Sequence, residues 1–158
     1  MSNPDWDLAA LGKTADRLIL MAYDEHWQTG PPGPIASDPW FAGVVKRALT
    51  QVPPAKAVVG IAAYAYDWPP SGPAAVLSIA DANALAAKTG SRPVRDPASG
   101  AEHFSYAAGD GPHAVWMSDA VAMNRQIALA RAAGARTLAV WRLGTEDPSF
   151  WSGASRPR

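Results

Sequence analysis

Two features that often define a protein class are missing from this sequence of 158 residues. It has no cysteine, which excludes disulfide bonds and thiolate metal sites but leaves the cellular compartment open. It has no apolar run close to the roughly 20 residues of a membrane span, and Met1 to Trp6 contains no apolar core of a signal peptide. We therefore expect neither a membrane span nor a signal peptide in this chain.

An excess of charge of either sign is also missing. Lys and Arg number 14, Asp and Glu number 14, and the formal net charge is zero. Because the basic residues are scattered, the electrostatic footprint of a nucleic-acid or anionic-membrane partner is absent, and neither partner is expected. The histidines, His26, His103 and His113, lie far apart without ligand spacing, so we predict no metal site and no cofactor.

Three apolar stretches end in aromatic and acidic residues. Leu18 to Asp24 reads as a buried strand that brings a tyrosine and a carboxylate to its C-terminal end. Val58 to Tyr64 ends in an aromatic cluster, and Thr137 to Trp141 ends in a tryptophan followed by polar and acidic residues. Barrels of alternating strands and helices place active-site residues at such strand ends. The pattern indicates one carbohydrate-binding face.

Helices are predicted between these strands. A short helix is expected near Asp7 to Thr14. A second, with apolar residues at helical spacing from Phe41 to Val52, follows a cap at Ser37 or Asp38. Another begins near Ser118 and precedes the last strand. This alternation with short connections favours parallel strands with helices packed outside.

The alternation is interrupted between Pro69 and Met117. Ser78 with Asp81 resembles a capping box, which opens a short helix that Gly90 closes. Turn clusters then separate three short predicted strands, which suggests an antiparallel meander. These strands are Arg92 to Asp96, Glu102 to Tyr106 and His113 to Met117. The predicted fold class is α/β, with residues 1–68 and 118–158 in one unit and residues 69–117 in an α+β insertion that packs as a lid beside the aromatic strand ends.

The motifs, in this order, resemble glycoside hydrolase family 18, the family of chitinases and peptidoglycan hydrolases. Met21 to Asp24 looks like the Met-x-Tyr-Asp motif of the sixth barrel strand, and Gly60 to Trp68 is similar to the seventh-strand segment. Val140 to Pro148 looks like the eighth strand of spore-cortex-type hydrolases and of bacterial fusions with a polysaccharide deacetylase and a glycosyltransferase. His113 to Trp116, followed by Asp119, resembles the same subgroup, and the antiparallel insertion occupies the place of the family's insertion domain.

The sequence departs from the family pattern at two places. The Asp-x-x-Asp-x-Asp-x-Glu motif, whose final Glu is the family's general acid, does not occur in the sequence. Ala65 and Tyr66 stand where a Gly-Arg pair is common in chitinases, which bears on sugar preference. The resemblance therefore implies a partial (β/α)8 TIM barrel that carries strands six to eight and the insertion, without the protonating carboxylate.

The resemblance also implies roles for individual residues. In this family the substrate's own N-acetyl carbonyl attacks the anomeric carbon. Tyr23 would donate its hydroxyl to the acetamido oxygen, and Asp24 would supply a polar or ionic contact beside it. Trp141 would form the apolar floor under the pyranose ring. The remaining expected substrate contacts are Met21 and Tyr64 on the wall, with Trp27 and Trp68 as further stacking residues.

Three classes of function remain open from the sequence. The first is the C-terminal fragment of a glycoside hydrolase that acts on N-acetylglucosamine-containing glycans such as peptidoglycan or chitin-like polymers. The second is a non-catalytic, lectin-like carbohydrate-binding domain, and the third is a structural domain of a larger polysaccharide-processing protein. Partners are expected to be the glycan and either a missing N-terminal barrel half or a second copy in a homodimer. The expected location is extracytoplasmic.

Overall fold

The computed structural model describes residues 6–154. The ends of the expected domain ranges, residues 1–5 and 155–158, lie outside the described residues, as does all but Trp6 of the segment assessed for a signal peptide. The helices and strands, in chain order, are α1 (Leu8–Thr14), β1 (Leu18–Met21), α2 (Asp38–Leu49), β2 (Ala57–Ala62), β3 (Ala65–Trp68), β4 (Ala75–Leu77), α3 (Ile79–Thr89), β5 (Val94–Arg95), β6 (Glu102–Ala108), β7 (Gly111–Met117), α4 (Ala120–Ala132), β8 (Thr137–Trp141) and α5 (Ser149–Ala154).

A parallel sheet contains the three strands expected from the apolar stretches, but the first was expected to be buried and to reach Tyr23. That strand ends at Met21, and every second residue of it is exposed because one of its faces is not covered by the described residues. The order of the sheet is β1-β2-β8, with Leu18 opposite Ala57 and Val58 opposite Thr137. Because β2 has a neighbour on each side, its residues Val59 and Ile61 are fully buried. They share a core with apolar residues of α2 and α4, so these two helices cover one face of the sheet.

The outer edge of β1 is apolar and open. Ile19 is 63% exposed and Met21 is 67% exposed. An edge strand of this kind presents unpaired backbone groups beside apolar side chains, which favours pairing with further chain.

A second, antiparallel sheet has the order β4-β3-β7-β6-β5. The antiparallel arrangement predicted for residues 92–117 is confirmed, because β5 pairs with β6 and β6 with β7. The first of these strands is shorter than expected, with only Val94 and Arg95 in it. Helix α3 packs on the sheet through a core that includes Ile79, Phe104 and Val115.

The chain leaves the parallel sheet earlier than the sequence suggested. The expected strand from Val58 to Tyr64 ends at Ala62, and β3 begins at Ala65 in the antiparallel sheet. The change of sheet is fixed by hydrogen bonds from Ser118, whose hydroxyl donates to the Ala62 carbonyl and whose amide donates to the Tyr64 carbonyl. The antiparallel unit therefore includes β3, which precedes the expected boundary at Pro69.

Both ends of α3 were predicted correctly from the sequence. The Ser78 hydroxyl accepts a hydrogen bond from the Asp81 amide at 3.0 Å, and Gly90 ends the helix in the left-handed conformation at φ +68°. Only glycine adopts that conformation readily. The Ser78 hydroxyl also donates to the Asp81 carboxylate at 2.6 Å.

An ion pair and a backbone hydrogen bond join the antiparallel unit to the helices of the parallel sheet. Arg95 of β5 donates to both carboxylate oxygens of Asp119 at the start of α4, at 2.9 and 2.6 Å. Arg125 of α4 contacts Asp38 of α2, and the Asp38 amide donates to the Ser99 carbonyl at 2.8 Å. Across residues 6–154, no helix is both long and apolar enough to cross a membrane.

Candidate functional site

The C-terminal ends of the three parallel strands bring the main predicted residues together. Tyr23 and Asp24 follow β1, Tyr64 follows β2, and Trp141 is the last residue of β8. The Ala63 amide donates to the Trp141 carbonyl at 2.8 Å, which ties the last two strand ends together. Residues from three separate segments of the chain, with Asp24 and Tyr64 40 positions apart, thus reach one edge because parallel strands align their ends.

The carboxylate of Asp24 is the polar centre of this edge. Its Oδ1 atom accepts hydrogen bonds from the hydroxyl of Tyr64 and, at 3.0 Å, from the hydroxyl of Tyr66. Among the described residues, no hydrogen bond reaches Oδ2. Asp24 is exposed, so one carboxylate oxygen faces solvent while the other is held by two phenols.

Asp24 adopts the left-handed backbone conformation, at φ +61°. Asp tolerates this region better than most residues, although the conformation is still uncommon. The next residue anchors it, because the Glu25 amide donates to the Ile35 carbonyl at 2.8 Å and the Glu25 carboxylate accepts from the Ser37 amide at 2.6 Å. The loop after β1 is thereby fixed with the Asp24 side chain turned toward the tyrosines.

The two phenols that hold Asp24 are buried and neutral. Tyr64 and Tyr66 are each 5% exposed. Burial, followed by the hydrogen bond to Asp24, raises the pKa of Tyr64 far above its ordinary value. Burial, followed by the charge of Asp24, raises the pKa of Tyr66 to about 12. Both hydroxyls are therefore protonated donors throughout the physiological pH range.

Tyr23 packs beside this group. Its ring meets the ring of Tyr64 edge-on, with centroids 6.5 Å apart. It lies over Gly60 of β2, where an added Cβ would stand 3.0 Å from the Tyr23 Cε1 atom and 3.0 Å from the Leu20 carbonyl oxygen. Burial, and then the charge of Asp24, raise the pKa of Tyr23. Within the part of the chain that the structure describes, its hydroxyl makes no hydrogen bond.

A small cavity of about 240 Å³ opens at these strand ends. Trp141, 56% exposed, forms one part of its wall, and the Asp24 carboxylate with its two phenols forms another. The Thr145 hydroxyl donates to the Ala63 carbonyl at 2.7 Å and closes the base of the following loop. The lining residues are Asp24, Gln28, Tyr64, Tyr66, Val76, Trp141, Arg142 and Thr145.

Four predicted contact residues do not line this cavity. Tyr23 lines a separate groove, which also includes Asp24. Met21 is exposed on the edge of β1, and Trp27, 49% exposed, lines the same separate groove. Trp68 is only 2% exposed, because its ring packs against Tyr66 with centroids 5.2 Å apart. Trp68 is thus a core residue here, and its faces are not available to a sugar.

The separate groove is larger, about 770 Å³, but has a different character. It runs along the open edge of β1 toward α1 and α2, and apolar side chains such as Trp6, Leu11 and Trp40 line it. Tyr23 and Asp24 lie at its end. We assign the candidate site to the smaller cavity, because the carboxylate, the phenols and the exposed indole converge there.

Sequence reasoning missed several lining residues. Tyr66 was identified only as a departure from a family pair, although its spacing of two from Tyr64 on extended chain gave a usable signal. Gln28 and Val76 come from the loop after β1 and from the antiparallel sheet, so nothing local marks them. Arg142 follows Trp141 directly. In residues 6–154, no group of three or more His, Asp or Glu side chains is arranged to hold a metal ion.

Comparisons with known proteins place this geometry in context. The family model of glycosyl hydrolases family 18 matches residues 1–146. An uncharacterized glycosylase, YvbX of Bacillus subtilis, is 31% identical over 94% of this chain and 45% of its own length. A cortical fragment-lytic enzyme of Bacillus anthracis is 32% identical over 92% of this chain and 35% of its own length. The chain therefore spans between a third and a half of these curated relatives.

Solved structures of a spore cortex-lytic enzyme and of a chitinase are also similar to this chain. The spore cortex-lytic enzyme SleL of Bacillus cereus superposes with a TM-score of 0.86 at 32% identity, over 92% of this chain and 35% of that one. A chitinase from Chromobacterium violaceum superposes with a TM-score of 0.84 at 36% identity, over 96% of this chain and 50% of that one. In each case the superposition covers more than nine-tenths of this chain.

Proposed function

This chain belongs to glycosyl hydrolases family 18, and we propose that it forms part of the glycan-binding face of a glycosidase that acts on N-acetylglucosamine-containing polysaccharide of the chitin or peptidoglycan kind. The observation that carries the proposal is the Asp24 carboxylate, held by the Tyr64 and Tyr66 hydroxyls in one cavity with the exposed Trp141. Relatives named as a chitinase and as a spore cortex-lytic enzyme support this substrate class.

The proposed chemistry is substrate-assisted. The acetamido carbonyl oxygen of the sugar bonds to the anomeric carbon as the glycosidic C–O bond breaks, and positive charge develops on the acetamido group. The leaving oxygen takes its proton from a general acid that this sequence does not supply. Asp24 is the carboxylate at the site that would stabilise the acetamido charge, because Oδ2 remains open while Oδ1 is held. Tyr23, whose hydroxyl has no partner among the described residues, would donate to the acetamido oxygen. The indole of Trp141 would cover the apolar face of the pyranose.

We further propose that β1, β2 and β8 are strands six to eight of a (β/α)8 barrel. The apolar edge of β1 and the 770 Å³ groove beside it would then receive further chain, either the other barrel half or a second copy of this one. The exposure of Ile19 and Met21 supports such pairing. An extracytoplasmic location is part of the proposal, since peptidoglycan and chitin-like polymers lie outside the cytoplasm.

The chain by itself is proposed to bind glycans without hydrolysing them. The acidic motif that ends in the family's general acid does not occur in the sequence. A positioned general acid contributes about 10²- to 10⁴-fold in rate, and the missing subsites would lower turnover further. Binding should be weak, roughly millimolar, which corresponds to about 4 kcal/mol, because an oligosaccharide would touch one wall only.

The experiment is a titration of the purified chain with N-acetylglucosamine oligomers, with tryptophan fluorescence and release of reducing ends measured together. Wild type is compared with Trp141→Ala and with Trp151→Ala, a control outside the cavity whose indole is also exposed, at 46%. We expect saturable binding by wild type and the control, loss of binding by Trp141→Ala, and no turnover by any of them.

The outcomes separate the three classes of function. Robust turnover by the purified chain would contradict the missing-acid argument. Binding without turnover fits both a hydrolase fragment and a lectin-like domain. The acidic motif in an upstream segment of the parent protein would favour the hydrolase, and a full barrel without it would favour the lectin-like domain. No binding by wild type would leave a structural role and overturn the proposal.

A further inference from the structure

A cluster of ionisable side chains lies in the antiparallel sheet, away from the cavity. The His113 Nδ1 atom lies 2.9 Å from Oδ1 of Asp67, and its Nε2 atom lies 3.1 Å from Oδ1 of Asp110. The Tyr106 hydroxyl donates to Oδ2 of Asp67 at 2.7 Å and lies 3.0 Å from the His113 Nδ1 atom. Three strands and one turn thus meet at a single imidazole.

We infer that His113, as the imidazolium, is a pH-sensitive clamp that fastens the β6–β7 hairpin to β3 and thereby positions Tyr66 at the site. A neutral imidazole carries one N–H and one lone pair, whereas both ring nitrogens of His113 face carboxylates. Only the charged form donates to Asp67 and Asp110 together. In the neutral form, the ring nitrogen without a proton directs its lone pair at a carboxylate oxygen of Asp67 or Asp110, so that hydrogen bond is lost.

Burial and charge decide how firmly the clamp holds. The His113 side chain is 12% exposed and that of Asp67 is 11% exposed, so this contact is shielded from solvent, whereas Asp110 is 62% exposed. Burial alone disfavours the imidazolium, but the hydrogen bonds to Asp67 and Asp110 outweigh it and raise the pKa of His113. From the elements packed around it, the titratable groups that face the imidazole are Asp67 of β3, Tyr106 of β6 and Asp110 of the hairpin turn.

The clamp reaches the site through β3. Asp67 follows Tyr66 directly, and successive strand residues point to opposite faces. Tyr66 therefore turns toward Asp24 while Asp67 turns toward His113. In β7, Trp116 pairs with Tyr66 and Val115 with Asp67. A loosened hairpin leaves this stretch of β3 less constrained, and the Tyr66 hydroxyl with it. The role of Tyr66 in glycan binding rests on the proposed function, but the clamp at His113 does not.

The direction of the pH effect follows from linkage. A histidine whose folded pKa exceeds its unfolded value adds stability that is fully present below the unfolded pKa, near 6.5. That stability is lost as the pH rises through the folded pKa. The hairpin should therefore loosen as the pH rises above about 6.5.

The test follows the His113 ring by NMR between about pH 5 and pH 9, a range that spans the ordinary histidine pKa. Wild type is compared with Asp110→Asn, a change at an exposed turn residue, with His113→Gln, and with His103→Gln. The last is the matched control, because His103 lies in the same sheet but stacks on Trp116. We expect a His113 pKa above 6.5 in wild type and in the His103 variant, and a lower one in Asp110→Asn.

Two further readouts distinguish a clamp from ordinary packing. Hydrogen exchange of the amides at residues 106–111 and 113, corrected for intrinsic rates, should accelerate with pH by up to tenfold for each unit that the pKa of His113 lies above about 6.5. The Tyr66 ring resonances should shift with the same midpoint. Neither change should occur in His113→Gln. A wild-type pKa at or below 6.5, or identical exchange curves in wild type and His113→Gln, would overturn the clamp, and an unmoved Tyr66 ring would overturn its positioning role.

Discussion

Replacement of Asp24 by alanine should destabilise the fold because it removes the acceptor of two buried phenols. Tyr64 and Tyr66 are each 5% exposed, and each donates to the same carboxylate oxygen. A hydrogen bond to a charged group contributes about 1.5–3 kcal/mol. Because Asp24 itself is exposed and water can enter the cavity, the lower figure applies to each bond. Asp24→Ala should therefore cost about 3 kcal/mol.

Asparagine at the same position provides the matched comparison. It keeps an acceptor oxygen and tolerates the left-handed backbone at φ +61°, so Asp24→Asn should cost about 1 kcal/mol. With a urea m value of about 2 kcal/mol/M, the midpoint should fall by about 1.5 M for alanine and about 0.5 M for asparagine. Asp16→Ala, at an exposed residue, is the control for loss of one negative charge. Equal midpoints for wild type and Asp24→Ala, or equal losses for alanine and asparagine, would refute the anchoring role of the carboxylate.

Two further predictions concern packing and association. Gly60→Ala should lower the free energy of unfolding by about 1–3 kcal/mol and displace the Tyr23 ring. The added Cβ would stand 3.0 Å from the Tyr23 Cε1 atom and 3.0 Å from the Leu20 carbonyl oxygen. Gly43 lies in α2 with open space around it, so Gly43→Ala should instead raise the free energy of unfolding by up to about 1 kcal/mol. Urea unfolding measures the stability of both variants. The open edge of β1 should cause self-association that Ile19→Lys weakens, measured by sedimentation over a concentration series. A wild type that stays monomeric at every concentration would count against the partial barrel.

The sequence predicted those parts of the fold that depend on local signals. The helix between Ser78 and Gly90 was predicted correctly because its ends are set by a hydroxyl cap and by a glycine at positive φ. The division between β2 and β3 was not, because the chain has no charged or strongly polar residue from Ala57 to Tyr66 to mark it. Its position depends on hydrogen bonds from Ser118, more than fifty residues away.

The same distinction applies to the candidate site. Asp24, Tyr64 and Trp141 were predicted together, since parallel strands align their ends. Trp68 lies two residues beyond Tyr66, but it is buried in the core that includes Ile35. The alternation of residues along a strand does not predict which face of the sheet a distant loop will cover. The acidic partner of His113 in β3 was equally hidden, because Asp67 lies 46 positions away along the chain.

The most direct test of the proposed glycan site is an intermolecular NOE experiment with a saturating trimer of N-acetylglucosamine. We predict cross-peaks from the acetamido methyl and pyranose ring protons to the indole of Trp141 and the ring of Tyr66. In Trp141→Ala the Tyr66 cross-peaks should disappear too, because that variant loses binding. Cross-peaks confined to Trp6 and Trp27 in the larger groove, or none at saturation, would contradict it.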